Sequence, residues 1–121
     1  MSDSTRNLMA RAYFPARTVI FRQGDEGDRA YVVESGEVEI ARADAGTRRV
    51  LGTVKKGGIF GEMALIDNEK RMAEAVALSE TTCFVVERDQ FSDKFDSADP
   101  FIKGMIRIFV RNIRSMADET R

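Results

Sequence analysis

The chain of 121 residues has no histidine and one cysteine, Cys83. These two shortages remove whole classes of chemistry. Zinc sites are built from several imidazole or thiolate ligands. Serine–histidine and cysteine–histidine catalysis need an imidazole base. A single cysteine forms no disulfide within the chain and fits a reducing compartment, so a cytoplasmic location is expected. No apolar run approaches the roughly 18 residues of a membrane span, and residues 1–7 contain no apolar stretch like that of a signal peptide. The net charge of −1 provides no global attraction to nucleic acid or to an acidic membrane. Carboxylates are plentiful, but no pair stands out as a general acid and base. No internal repeat or low-complexity tract is present. At this length one domain with one core is expected, spanning residues 1–121.

What is present concentrates in residues 59–74, above all in Phe60-Gly61-Glu62-Met63-Ala64-Leu65 and Arg71. Gly61 lacks a Cβ and lets a ligand approach the backbone. Met63-Ala64-Leu65-Ile66 is long enough for about one helical turn, whose first N–H groups are unpaired and favour an anion. An arginine returning over that turn presents a forked pair of charged donors suited to phosphate. A carboxylate beside a phosphate is repelled, so Glu62 serves better as an acceptor for sugar hydroxyls. The segment therefore reads as a site for a sugar phosphate.

Those residues resemble the phosphate-binding cassette of the cyclic nucleotide-binding domain family, with Glu62 and Arg71 nine positions apart. The family includes catabolite-activator regulators, regulatory subunits of cyclic-AMP-dependent kinase and cyclic-nucleotide-gated channels. The resemblance runs across nearly the whole chain and makes it similar to a stand-alone, bacterial-like member. It implies a double-layered β jelly roll with a C-terminal amphipathic helix, and a 3′,5′-cyclic nucleotide as ligand. The implied ligand-binding residues are Gly61, Glu62, Met63, Ala64, Arg71, Met72 and Ala73. Arg71 and the amides of Ala64 and Ala73 would hold the phosphate, Glu62 the ribose 2′-hydroxyl, and Met72 with a residue of the last helix the base. Met72 lacks the hydroxyl that often accompanies cyclic GMP preference, so cyclic AMP is favoured over cyclic GMP. Two positions depart from the family pattern: Met72 stands where many members carry a small or hydroxylated residue, and Glu74 where many carry Ser or Thr. If Met72 lines the pocket, strand alternation puts Glu74 near its rim, within reach of an adenine amino group.

Along the chain, 7–12 has the composition of a short leading helix. Residues 13–87 read as a β roll. Tyr13 to Phe21 reads as strand with Pro15 at an edge or bend, and further short strands are separated by Gly-containing turns. Mainly-β structure of this kind, without helices between strands, argues an antiparallel roll or barrel. Cys83 sits in a β run and reads as a small core hydrophobe. Residues 88–121 read as helical, with Asp89 capping one helix and Asp99 another that begins at Pro100. In the latter, Ile102, Met105, Ile106, Phe109, Ile113 and Met116 form an apolar stripe, and Lys103, Arg107, Arg111 and Arg114 a basic one.

These features point to a non-enzymatic receptor module that relays nucleotide binding to an effector protein through its last helix. No cofactor and no metal are expected. The alternative is a structural or interaction module that keeps the fold, has lost the ligand and forms a homodimer through the last helix. A DNA-binding regulator is not expected, because no helix-turn-helix fits after that helix.

Overall fold

The computed structural model describes residues 9–119 in backbone. Eight strands come first and enclose one short helix: β1 (Arg11–Phe14), β2 (Val19–Phe21), β3 (Arg29–Ser35), β4 (Val38–Asp44), β5 (Thr47–Val54), β6 (Ile59–Phe60), α1 (Met63–Asp67), β7 (Glu74–Ala77) and β8 (Thr81–Glu87). Two helices follow, α2 (Arg88–Asp96) and α3 (Pro100–Glu119). The strands form two four-stranded sheets, ordered β1-β8-β3-β6 and β2-β7-β4-β5. Every pairing is antiparallel. This is the double-layered jelly roll that the resemblance implied.

The core lies between the sheets. Tyr31, Val33, Val38, Phe60, Ala75, Cys83 and Val85 are buried there. They come from alternate positions of their strands, as the period of two requires. Tyr31 and Phe60 are cross-strand partners in β3 and β6, and their rings stack at 5.2 Å. Phe14 meets Tyr31 edge-on at 5.9 Å, and Phe21 stacks on Tyr31 at 6.4 Å while also lying 6.0 Å from Phe60. Cys83 is fully enclosed, and burial pushes its thiol up to about 11, which leaves it an inert filler.

The structure departs from the sequence expectations at three places. The leading helix expected over 7–12 is not formed at Arg11 and Ala12, which belong to β1 and pair with Phe84 and Cys83; residues 7 and 8 lie outside the described residues. Cross-strand pairing wins there over weak local helical composition. The strand expected from Tyr13 to Phe21 is two strands in different sheets. Pro15 has no N–H to offer a ladder, and Arg17 takes a left-handed conformation with φ 71°, so the chain changes sheet between Phe14 and Val19. The N-cap of α2 is Glu87, not Asp89: the Gln90 side chain accepts from the Glu87 N–H at 2.9 Å, and Asp89 sits in the first turn. Asp99 does cap α3, accepting from the Phe101 N–H at 2.8 Å.

Helix α3 packs chiefly on α1, and Val110 and Ala117 are its buried residues. At 100° per residue, the apolar stripe expected from the sequence is centred about a quarter turn away. Ile102, Phe109 and Ile113 are accordingly exposed. Among the described residues no helix is long and apolar enough to cross a membrane.

The inward register of β4 places Val38 at the centre of the core and leaves Val50 of β5 half exposed. Val38→Ala is expected to cost about 2 kcal/mol through lost burial and a residual cavity. Val50→Ala is expected to stay within about 0.5 kcal/mol. Urea denaturation of the two variants measures the difference, and equal losses would contradict this placement of the core.

Candidate functional site

Arg71 lies just after the loop that leaves α1. Its main chain is fixed by a turn on the other side of the roll: its N–H donates to Asp25 O and its carbonyl accepts from Gly24 N, both at 2.8 Å. The side chain turns inward and is 6% exposed. Its guanidinium lies on the face of Phe21, 4.0 Å from the ring centre. Nη1 donates to Gly61 O and Nη2 to Arg29 O, each at 2.7 Å. Nε is buried and has no hydrogen-bond partner. A guanidinium carries five N–H donors, so the fork is anchored by two and holds others in reserve. An unmet donor on a buried cation is costly and calls for an acceptor. Burial lowers the Arg71 pKa from its ordinary value, while Tyr31, Asp28, Asp25 and Glu62 act to raise it.

Two glycines make room for this arrangement. A Cβ at Gly61, whose φ is +80°, would stand 2.8 Å from Arg71 Nη1. A Cβ at Gly27 would stand 2.4 Å from the Ala64 Cβ and 3.0 Å from Arg71 Cζ. The guanidinium is therefore clasped between the 24–29 segment and the start of the cassette.

Glu62 is the residue before α1, with φ −74° and ψ −27° and no capping hydrogen bond from its side chain. The first N–H groups of α1 have no intrahelical acceptor. Asn68 ends the helix in the left-handed conformation with φ 59°, its N–H bonded to Ala64 O, and the chain turns back towards Arg71.

Gly61, Glu62, Met63, Ala64, Arg71, Met72 and Ala73 all line one cavity of about 210 Å³. Its far wall is Ile40 and Val54 from the second sheet, and Ile113 and Arg114 of α3 close one side. The sequence expectation for Glu74 does not hold. Its carboxylate accepts from Arg48 Nε at 2.6 Å, beside the Arg48–Glu39 pair, and it is not part of the cavity wall. Strand alternation does not reach Met72, because β7 begins only at Glu74.

Arginines also tie the helices to this site. Arg114 of α3 makes a two-pronged ion pair with Asp67 at the end of α1: Nε pairs with Oδ2, and Nη2 donates to Oδ1 at 3.0 Å. Its Nη1 donates to Lys70 O at 3.0 Å. Arg42 of β4 donates to Met72 O and to Asp118 Oδ1, both at 2.7 Å. Arg49 of β5 donates to Ala117 O at 2.9 Å. Arg88 of α2 reaches Asn68 Oδ1 at 2.7 Å and pairs with Gly27 O. The seven residues named from the sequence line the cavity; Phe21, Gly27 and the contacts of Arg29 O and Arg114 were not among the expectations for it. Gly27 reads as a turn glycine and Arg114 as part of a basic stripe; no local pattern shows what they meet across the fold.

Two facing antiparallel sheets form a β roll with a buried arginine and a carboxylate on the wall of one cavity. Residues 11–98 match the family model described as "Cyclic nucleotide-binding domain", and the chain belongs to that family. It is 36% identical over 90 residues to the cyclic AMP receptor protein of Thermus thermophilus, covering 74% of this chain and 42% of that one. It is 40% identical over 78 residues to a cAMP-dependent protein kinase regulatory subunit of Candida albicans, covering 64% and 16%. The chain spans less than half the length of these curated relatives. Among solved structures, the cAMP-bound form of the EAL enzyme Bd1971 superposes with a TM-score of 0.87 at 31% identity, over 92% of this chain and 30% of that one. Its cGMP-bound form gives 0.84 at 31% identity, over 91% and 30%.

Burial raises the Glu62 pKa above the ordinary carboxylate value, with its own N–H and Arg71 pulling it back. A folded-state pKa above the unfolded one means that ionised Glu62 subtracts from stability. The penalty is complete above the folded pKa and absent below the unfolded value of about 4.3. Glu62→Gln is therefore expected to raise the thermal midpoint of the ligand-free protein near neutral pH, with the gain shrinking towards pH 4. A lower midpoint at neutral pH would contradict this.

Proposed function

We propose that this domain is a non-catalytic receptor for a 3′,5′-cyclic nucleotide, cyclic AMP by preference, and that α3 relays its occupancy. The observation that carries the reading is the buried Arg71 guanidinium, which is part of the cavity wall, is held by two carbonyls and has an Nε without an acceptor. A cyclic phosphodiester supplies a single negative charge and oxygens for those remaining donors. The amides of Ala64 and Ala73 join Arg71 at the phosphate. Glu62 accepts the ribose 2′-hydroxyl, and this recovers part of the desolvation cost of its carboxylate. Met72, Ile113 and Arg114 enclose the base. The names of relatives that refer to cyclic AMP, together with the absence of a hydroxyl at Met72, support cyclic AMP over cyclic GMP.

The relay runs through contacts already in place. Ile113 and Arg114 line the cavity and belong to α3. Arg114 grips the end of the cassette helix, while Arg42 joins Met72 O to Asp118. A ligand that shifts Met72 or the α1–β7 loop shifts the seat of α3, and it favours whichever helix position it binds more tightly.

A second reading, compatible with the first, concerns assembly. Ile102, Phe109 and Ile113 are exposed on one side of α3, with Met105 between them at steps of three and four. Such a seam suits a second copy of the same helix, so we assign α3 to a homodimer.

Titration calorimetry of the wild type is expected to give saturable heat with cyclic AMP and weaker binding of cyclic GMP. Arg71→Lys, which keeps the charge and removes the fork, is expected to weaken cyclic AMP binding on the order of 100-fold. Absence of heat with either nucleotide at high micromolar concentration would overturn the receptor reading. In sedimentation velocity the wild type is expected to run as a dimer and Phe109→Glu as a monomer. A wild-type monomer at tens of micromolar would overturn the dimer.

A further inference from the structure

A second concavity lies outside the nucleotide cavity, between the loop after α1 and the basic side of α3. It is a cleft of about 940 Å³ lined by Ile66, Asp67, Asn68, Glu69, Lys70, Arg107, Arg111 and Arg114. Its charges are unevenly matched. Asp67 and Arg114 neutralise one another. Lys70 and Arg111 make no side-chain hydrogen bond or ion pair among the described residues, and Arg107 only rests over the Phe95 ring at 5.1 Å. Three cations therefore face a single unmatched carboxylate, Glu69. The rim is stiff: Asp67 Oδ1 accepts from the Glu69 N–H at 3.0 Å, and Asn68 Oδ1 is held by Arg88. The Asp67 and Asn68 side chains are thus occupied within the fold, while those of Glu69 and Lys70 are exposed.

We propose that this cleft docks an acidic peptide segment of a partner protein, with carboxylates on Lys70, Arg107 and Arg111 and an aliphatic side chain against Ile66. Arg107 and Arg111 are one turn apart on α3, about 6 Å along its axis, a spacing that carboxylates on alternate residues of an extended peptide span. Nucleic acid fits less well. Three cations over so short a reach fall below the 6–10 phosphate contacts of many such complexes, and both Glu69 and the net charge of −1 oppose a polyanion. The proposal does not rest on nucleotide binding.

The test uses the whole 121-residue chain, labelled with nitrogen-15, and a capped peptide of alternating glutamate and leucine as probe. The peptide is expected to move the amide signals of Asn68, Glu69, Lys70, Arg107 and Arg111, to bind more weakly as salt rises, and to lose at least about tenfold in affinity in Arg107→Ser/Arg111→Ser. The exposed single change Arg111→Glu is a second variant, expected to lose binding while keeping the spectrum of the roll and any heat with cyclic AMP. Undiminished peptide affinity in both variants, or shifts centred elsewhere, would overturn the proposal. So would a single-stranded oligonucleotide of equal charge that displaces the peptide at lower concentration, an outcome that would assign the cleft to nucleic acid.

Discussion

The site depends on keeping one positive charge inside the protein. A guanidinium removed from water must find compensation locally, and Arg71 finds it in the Phe21 ring and two backbone carbonyls. Each partner belongs to a different part of the roll: Phe21 to β2, Arg29 to β3 and Gly61 to the turn after β6. The charge therefore fastens both sheets to the cassette. Phe21 in turn stacks on Tyr31 and Phe60, so the hydrophobic core and the polar site share an aromatic wall. Packing that stabilises the fold also aims the arginine, as preorganised recognition requires.

Helix α3 is held by a different kind of force. Val110 and Ala117 are its buried apolar residues, and much of its attachment comes from Arg114, Arg42 and Arg49 reaching across to carboxylates and carbonyls. The Arg114–Asp67 pair is two-pronged and mostly sheltered, whereas Arg42 reaches a carboxylate, Asp118, that is exposed, and such a pair is weaker and salt-sensitive. An element attached in this way can change position without breaching the core. The same helix carries three surfaces: a wall of the Arg71 cavity, an exposed apolar seam and one side of the basic cleft.

Much of this was legible from residue order, for identifiable reasons. The cassette is local, so Gly61, Glu62 and Arg71 could be placed together from spacing. The turns and alternating strands from β3 onwards follow from glycine positions and period-two patterning. Three expectations failed where distant pairing decides. Arg11 and Ala12 join β8, a partner some seventy residues away. The split of the Tyr13–Phe21 run depends on which sheet each half joins. Glu74 turns to Arg48 because β4 and β5 bring that cation beside it. Gly27 is the sharpest case, since its importance comes entirely from Ala64 and Arg71 above it.

That glycine has a consequence for interpreting other chains of this architecture. Residue 27 lies outside the cassette, yet a methyl group there would push directly on the guanidinium and on the cassette helix. The space over residue 27 is thus a footprint of the cassette helix as much as of the inward arginine. The tighter clash is with the Ala64 Cβ, so shortening the arginine alone does not lift the demand for glycine. The identity of this one distant position then reports whether a chain still seats its cassette helix against the 24–29 segment.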